Sequence, residues 1–154
     1  MRHYRLTNQE RAGSGFTDQF VIDGKELTAA AVTQTINLVT LTNTFVDDIV
    51  LVRLDEKIAG PAGTVKIEVG DDGDPNYHVA LTSDLVAGTV GYLWGPATTA
   101  AGSANRYGTT IGSSTVMQAK LTSSSGNFSA TTNSGQLSIF MRIVQSDDLG
   151  YDQS

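Results

Sequence analysis

The chain of 154 residues has no cysteine, two histidines and three prolines, and only 17% of it is charged. Each scarcity excludes a class of chemistry. Without cysteine there is no disulfide framework, thiolate zinc site, iron–sulfur cluster or cysteine nucleophile. With only His3 and His78, a histidine-rich metal site is excluded too, and no metal or other cofactor is expected. Long apolar runs are also missing. The two charge-free stretches, Leu27 to Val46 and Leu85 to Asn105, are interrupted by Thr, Gln, Asn, Gly and Pro. Neither approaches the ~20 apolar residues of a membrane helix. The basic start, Met1-Arg2-His3-Tyr4-Arg5-Leu6, is followed by polar residues and does not continue into a signal peptide. A soluble protein without a membrane partner is expected.

What is abundant is small and polar: 19 Thr, 13 Ser and 16 Gly. The length fits one domain with a real core. Apolar residues recur with period two, which places alternate side chains on opposite faces of a sheet. Val65, Ile67 and Val69 alternate with Thr64, Lys66 and Glu68. Tyr77, Val79 and Leu81 flank His78, which should therefore face solvent, and Val90, Tyr92 and Trp94 flank Gly91. Leu137, Ile139, Met141 and Ile143 form the cleanest stripe, and Met117, Ala119 and Leu121 another. Ile49-Val50-Leu51-Val52 reads as a strand buried on both sides. Ile36 and Leu38 have one parity and Val39 and Leu41 the other, so a bulge near Leu38-Val39 is required. Phe128 is placed in a short strand, and Phe20-Val21-Ile22 runs into a hairpin turn at Asp23-Gly24. Only Lys25 to Ala31 suits a helical turn.

Gly, Asp, Asn and Ser clusters separate these runs at residues 60–63, 70–76, 123–127 and 133–135. Many short strands without an extended helical pattern predict an all-β protein, an antiparallel β-sandwich of jelly-roll-like form. Gly95 to Thr115 reads as a long Gly/Ala/Ser/Thr-rich loop, of the kind that is often functional. Residues 1–15 form an N-terminal arm or a first edge strand, 16–146 the sandwich domain, and 147–154 an acidic tail.

The charge of −6 is local. Residues 47–84 carry nine acids against three bases, whereas 85–146 carry Arg106, Lys120 and Arg142 and no carboxylate. No basic stripe offers itself to nucleic-acid phosphates. Asp71-Asp72-Gly73-Asp74-Pro75-Asn76 resembles a calcium loop, but an EF-hand count from Asp72 puts Tyr77 where Gly is needed and Ser83 where Glu is needed. A solvated turn is the simpler reading. No nucleophile-elbow or phosphate-loop motif occurs, and neither histidine adjoins one. Asp55, Glu56 and Glu68 are carboxylates able to face one another across adjacent strands, with nothing to select a pair. No catalytic residue is assigned, and a non-enzymatic role is expected. Tyr92, Trp94 and Tyr107 flank the long loop. Tyr92 and Trp94, sharing parity with Val90, are read as core residues, or all three as a platform on which a sugar ring stacks.

The stretches "VTQTINLVTLTNTF" and "DDIVLVRLDEKIAGPAGTVKIEVGDDGDPNYHVALTSDLVAGTV" string Thr-rich strands on Gly-Asp turns. In this rhythm the chain resembles the small β-sandwich virion proteins of tailed bacteriophages, particularly head decoration, or cement, proteins. The resemblance implies a structural protein made in the host cytoplasm and carried on the capsid exterior. Its partner would be the major capsid protein, and a homotrimer the favoured oligomer. It also implies an N-terminal arm reaching the capsid, for which Met1 to Ser14 is the candidate, with Gly13-Ser14-Gly15 as a flexible joint. The candidate contact residues are Arg2, Tyr4, Arg5, Arg11, Arg106 and Tyr107. The alternative is a tail or receptor-binding component or a carbohydrate-binding module using Tyr92, Trp94 and Tyr107.

Overall fold

A computed structural model describes residues 1–46, 50–60, 63–74, 76–79, 84–95, 109–111 and 113–145. In chain order these form β1 (Arg2–Arg5), helix α1 (Asn8–Ser14), β2 (Asp18–Asp23), β3 (Thr33–Leu41), β4 (Thr44–Val46), β5 (Leu51–Ala59), β6 (Val65–Asp71), β7 (Leu93–Trp94), β8 (Thr109–Ile111), β9 (Thr115–Ser123), β10 (Ser134–Met141) and β11 (Ile143–Gln145). The protein is an all-β sandwich. One layer is a five-stranded sheet ordered β1-β2-β10-β5-β7, and the other is a three-stranded sheet ordered β3-β9-β6. All neighbouring strands in these two sheets pair antiparallel.

Alternation builds the core. On β10, Leu137 stands between Ile22 of β2 and Leu54 of β5, and Ile139 between Phe20 and Val52; all six are fully buried. Ile67, Leu121, Val69 and Ala119 do the same on the facing sheet, also fully buried. Each such Leu, Ile or Phe contributes roughly 1.5–3 kcal/mol by leaving water. The parity switch in β3 is resolved by a bulge: the pairing with β9 slips between Asn37 and Val39, and Leu38 is turned inward.

Two features close the ends of the sandwich. A third sheet, β11-β4-β8, joins the continuation of β10 to the continuation of β3, so strands from both layers meet there. Asn43 makes the bend into β4 at φ 51, a left-handed conformation that Asn tolerates. Towards the other end, Leu85 accepts from the Ile58 amide at 3.3 Å and donates to the Val65 carbonyl at 2.7 Å, linking β5 to β6.

Several local expectations are corrected. Residues 8–14 form a helix that the apolar pattern does not announce, because none of its residues is buried. Its caps carry it instead: the Thr7 hydroxyl accepts from the Glu10 amide, Glu10 accepts from the Thr7 amide at 2.8 Å, and Gly15 ends it at φ 78. Gly13-Ser14-Gly15 is thus a helix end and its cap, rather than a loose joint. Asp23-Gly24 does not open a hairpin. Gly24–Glu26 is a 3-10 turn, after which the chain crosses to β3 in the opposite layer. Phe128 lies in another 3-10 turn, Phe128–Ala130, and not in a strand.

His78 is buried, 5% exposed, where alternation had placed it in solvent. Near it the only β pairing among the described residues is the bridge Val79 to Val69, so strict two-residue periodicity does not extend along this segment. Val90 and Tyr92 lie outside any strand and are about half exposed, which overturns a core role for Tyr92. Of the long loop from Gly95, residues 96–108 and 112 lie outside the described residues, and 109–111 form β8.

Candidate interaction surface

Residues of the five-stranded sheet that point away from the core make two rows across it. One runs Arg2, Val21, Ser138, Arg53, Leu93, and the next runs Tyr4, Gln19, Phe140, Leu51. Gln19, Ser138 and Arg53 are joined through Asp55. Gln19 Nε2 donates to Ser138 Oγ at 3.0 Å, Ser138 Oγ donates to Asp55 Oδ2 at 2.5 Å, and Arg53 Nε donates to Asp55 Oδ1 at 2.6 Å. The Arg53 guanidinium lies 5.0 Å from the centre of the Phe140 ring, which also meets Phe16 at 5.8 Å. A charge-assisted network of this kind holds its side chains in place, so the face is ordered before any partner arrives.

The basic N-terminal residues belong to this sheet. Arg2 Nη2 donates to Asp23 Oδ2 at 3.2 Å and remains half exposed, and Tyr4 is 45% exposed. Arg5 is exposed at the end of β1. Arg11 turns back on its own chain, Nε donating to the Leu6 carbonyl at 2.9 Å, and so serves the local fold. Beneath the strand, His3 stacks on Phe20 with ring centres 4.4 Å apart and meets Asp18 Oδ1 at 2.7 Å. Asp18 is buried, and it also accepts from the Thr17 hydroxyl at 2.5 Å. That hydroxyl is directed to Asp18 and not to His3, so the three do not form a nucleophile–base–carboxylate relay.

At the far edge, Tyr92 and Gly91 run along β5: the Leu54 amide donates to the Tyr92 carbonyl at 3.2 Å, and the Gly91 amide to the Leu54 carbonyl at 2.7 Å. Gly91 adopts φ 83, which this turn requires. The result places Val90, Tyr92 and Leu93 in solvent at 52%, 56% and 50% exposure. Trp94 lies in β7 opposite Val52, with its side chain outside the described part of the structure. Arg106 and Tyr107 also lie outside the described residues.

Asp23, Gln136 and Glu56 form a further row, with Gln136 Nε2 donating to Asp23 Oδ1 at 2.8 Å. Beside it is a cleft of about 270 Å³ lined by Asp23, Lys25, Glu56, Ser134 and Gly135. The juxtaposition of Asp55 and Glu56 with Glu68 that the sequence left open does not occur. The first two are on β5 and the last on β6, in different layers, where Glu68 pairs with Lys120 at 3.2 Å. In the acidic turn, Asp71 Oδ1 accepts from the amides of Gly73 and Asp74, at 2.8 and 2.7 Å, and so serves the turn itself. Among the described residues no three His, Asp or Glu side chains gather as a metal site.

The sequence pattern does not single out Arg53, Phe140 and Leu93 as contact residues, nor the fully buried Ser138 that orders Gln19 and Asp55 between them. Phe140 and Ser138 sit on the opposite parity to the Leu137-Ile139-Met141 stripe, a signal open to reading once that strand is placed. Leu93 gives no such signal, because its direction is set by pairing with Arg53 across a strand of two residues. A scan against protein-family models and searches of the curated proteins and the solved structures find no match to this chain.

Proposed function

We propose that this chain is a non-enzymatic structural protein of a tailed-bacteriophage virion, a head decoration protein that docks on the exterior of the assembled major-capsid lattice. The observation that carries the docking role is the clustering of Val90, Tyr92 and Leu93, each about half exposed. Exposed apolar side chains concentrated on one edge and continuous with a polar face are a common signature of a protein interface. Leu93 shares a row with Arg53 and Arg2, so the apolar edge, the ordered network and the basic strand are offered together. The assignment to a capsid partner comes from the strand and turn rhythm of the sequence. Many copies on a lattice would add avidity to a modest contact.

Mass spectrometry of purified particles with copy counting tests this reading. A high copy number, lost on Tyr92→Ala or Leu93→Ser while the protein still folds, is expected. Absence from particles overturns it, and a few copies per particle moves the protein to the tail. A carbohydrate-binding role is favoured by one observation, the exposed Tyr92 ring. Binding on a glycan array that disappears with Tyr92→Ala would establish that role instead.

A further inference from the structure

The edges of the two main sheets are protected unequally. β1 is four residues long and carries Arg2 and Arg5, and β7 is two residues long. β6 carries Lys66, Glu68 and Asp71 and is flanked by the bridge from Val79. Short length, charge and cover are the usual devices that stop an edge from recruiting another strand. β3 has little of this protection. It runs nine residues, Thr33-Gln34-Thr35-Ile36-Asn37-Leu38-Val39-Thr40-Leu41, with no charged residue, proline or glycine. It pairs with β9 on one side, and among the described residues no backbone group pairs with its other side. The bulge at Leu38 leaves Thr33 to Asn37 as its regular portion. Along this portion Ile36 is only partly buried against the core, and Val32 just before it is 43% exposed.

We infer that β3 pairs antiparallel with β3 of a second copy of this chain, about a two-fold axis at Ile36, to make one continuous six-stranded sheet. A second copy is the occupant that the charges favour. The chain carries −6, so self-association favours a contact surface without charge, and among the described residues β3 is the one long edge of the two main sheets that provides it. Pairing β1 with its own copy would instead gather four arginines along one short seam, a like-charge arrangement that β3 avoids. Parity admits only registers that oppose like-facing residues, and of these a two-fold at Ile36 is the one that sets apolar side chain against apolar side chain within the regular portion. With Ile36 opposite its counterpart, the inward-facing isoleucines meet on the core side, and Thr35 faces Asn37 of the second copy on the solvent side. A shift by one residue would set inward side chains against outward ones. The contact is isologous and closes at two copies, so it replaces the trimer implied by the family resemblance and does not depend on the capsid reading.

Light scattering after size-exclusion chromatography, across a wide dilution series, reads the first consequence. A mass twice that of one chain is expected, falling to one chain on dilution. Ile36→Lys, which sets two ammonium groups face to face, should weaken the dimer at least tenfold. Cross-linking reads the register without depending on that variant. The chain has no cysteine, so Ile36→Cys supplies a single thiol. Opposed antiparallel residues lie about 4.5–5.5 Å apart between Cα atoms, within disulfide reach. Ile36→Cys should therefore oxidise to a covalent dimer. Val32→Cys, about 26 Å from its counterpart in this register, should not. A monomer at every concentration overturns the inference, as does a trimer. A dimer in which Val32→Cys cross-links as readily as Ile36→Cys overturns it too.

Discussion

His3 and Asp18 meet at 2.7 Å beneath the edge strand β1, the histidine stacked on Phe20 and the carboxylate buried. This contact, with Arg2 on Asp23 above it, ties a strand of four residues to the sheet. Removing His3 leaves a buried carboxylate with fewer partners, and removing Asp18 takes the carboxylate from His3, while the Thr17 hydroxyl keeps the Ile143 amide and carbonyl as partners. Both His3→Ala and Asp18→Ala should destabilise the fold by about 1–3 kcal/mol. Chemical denaturation measures the difference, and hydrogen exchange should show β1 opening first. Equal protection of β1 in wild type and His3→Ala would count against the tie.

Asn133 joins three segments. Its Nδ2 donates to the carbonyls of Leu27 and Phe128, the latter at 2.7 Å, and its Oδ1 accepts from the Thr131 hydroxyl at 3.0 Å. The side chain is buried, so Asn133→Ala leaves two carbonyls without a donor in a place water does not reach. A loss of about 2–4 kcal/mol is expected from those unmet groups. A change in denaturation midpoint corresponding to less than about 0.5 kcal/mol would show that the segments hold without it.

Gly135 stands at φ 96 in β10, and a Cβ there would lie 2.2 Å from the Lys57 carbonyl oxygen. Both the backbone conformation and the space favour glycine. Gly135→Ala should cost at least about 2 kcal/mol, because the pairing with β5 must shift to admit the methyl group. Gly13→Ala, where the added carbon meets nothing, is the control and should not destabilise; within helix α1 it should add roughly 0.5–1 kcal/mol.

Glu10 titrates below the usual carboxylate range, because its carboxylate accepts from the Thr7 amide and then from the Thr7 hydroxyl. A depressed folded-state value means that the cap's contribution is present above the ordinary carboxylate pKa. It is lost as pH falls through the lowered one. Helix α1 should therefore fray on acidification while the β layers persist. NMR titration of Glu10, with hydrogen exchange over Asn8–Ser14, checks this, and Thr7→Ala should bring the Glu10 titration back towards the ordinary range.

Tyr92 and Leu93 are half exposed, so Tyr92→Ala and Leu93→Ser should leave stability within about 0.5 kcal/mol of wild type. Their effect should appear in particle occupancy instead. Unchanged occupancy with both variants would remove this edge from the docking surface.

Much of the core was legible in the order of residues. Leu137-Ile139-Met141-Ile143, Val65-Ile67-Val69 and Met117-Ala119-Leu121 are buried, and the parity switch at Leu38-Val39 is a bulge. Helix α1 escaped the apolar pattern because its stability is in its caps, although Thr7-Asn8-Gln9-Glu10 is a capping-box sequence in its own right. The candidate surface was less legible. The sequence drew attention to arginines and aromatics near flexible-looking segments, whereas Arg11 serves its own helix and Arg53 belongs to the ordered face. Which side chains share a row depends on strand order, and β2 and β5 reach the same sheet only through β10, more than a hundred residues after β2.

By itself the sequence determined the β character, the inward-facing stripes and the absence of cysteine chemistry, because side-chain alternation and composition are local properties. Tertiary structure decided which strands are neighbours, that His78 is buried, that Tyr92 and Leu93 reach solvent, and that no described residue pairs with the outer edge of β3. Those outcomes rest on contacts between segments far apart in the chain, where one change of partner strand alters every cross-strand neighbour while the local pattern stays the same.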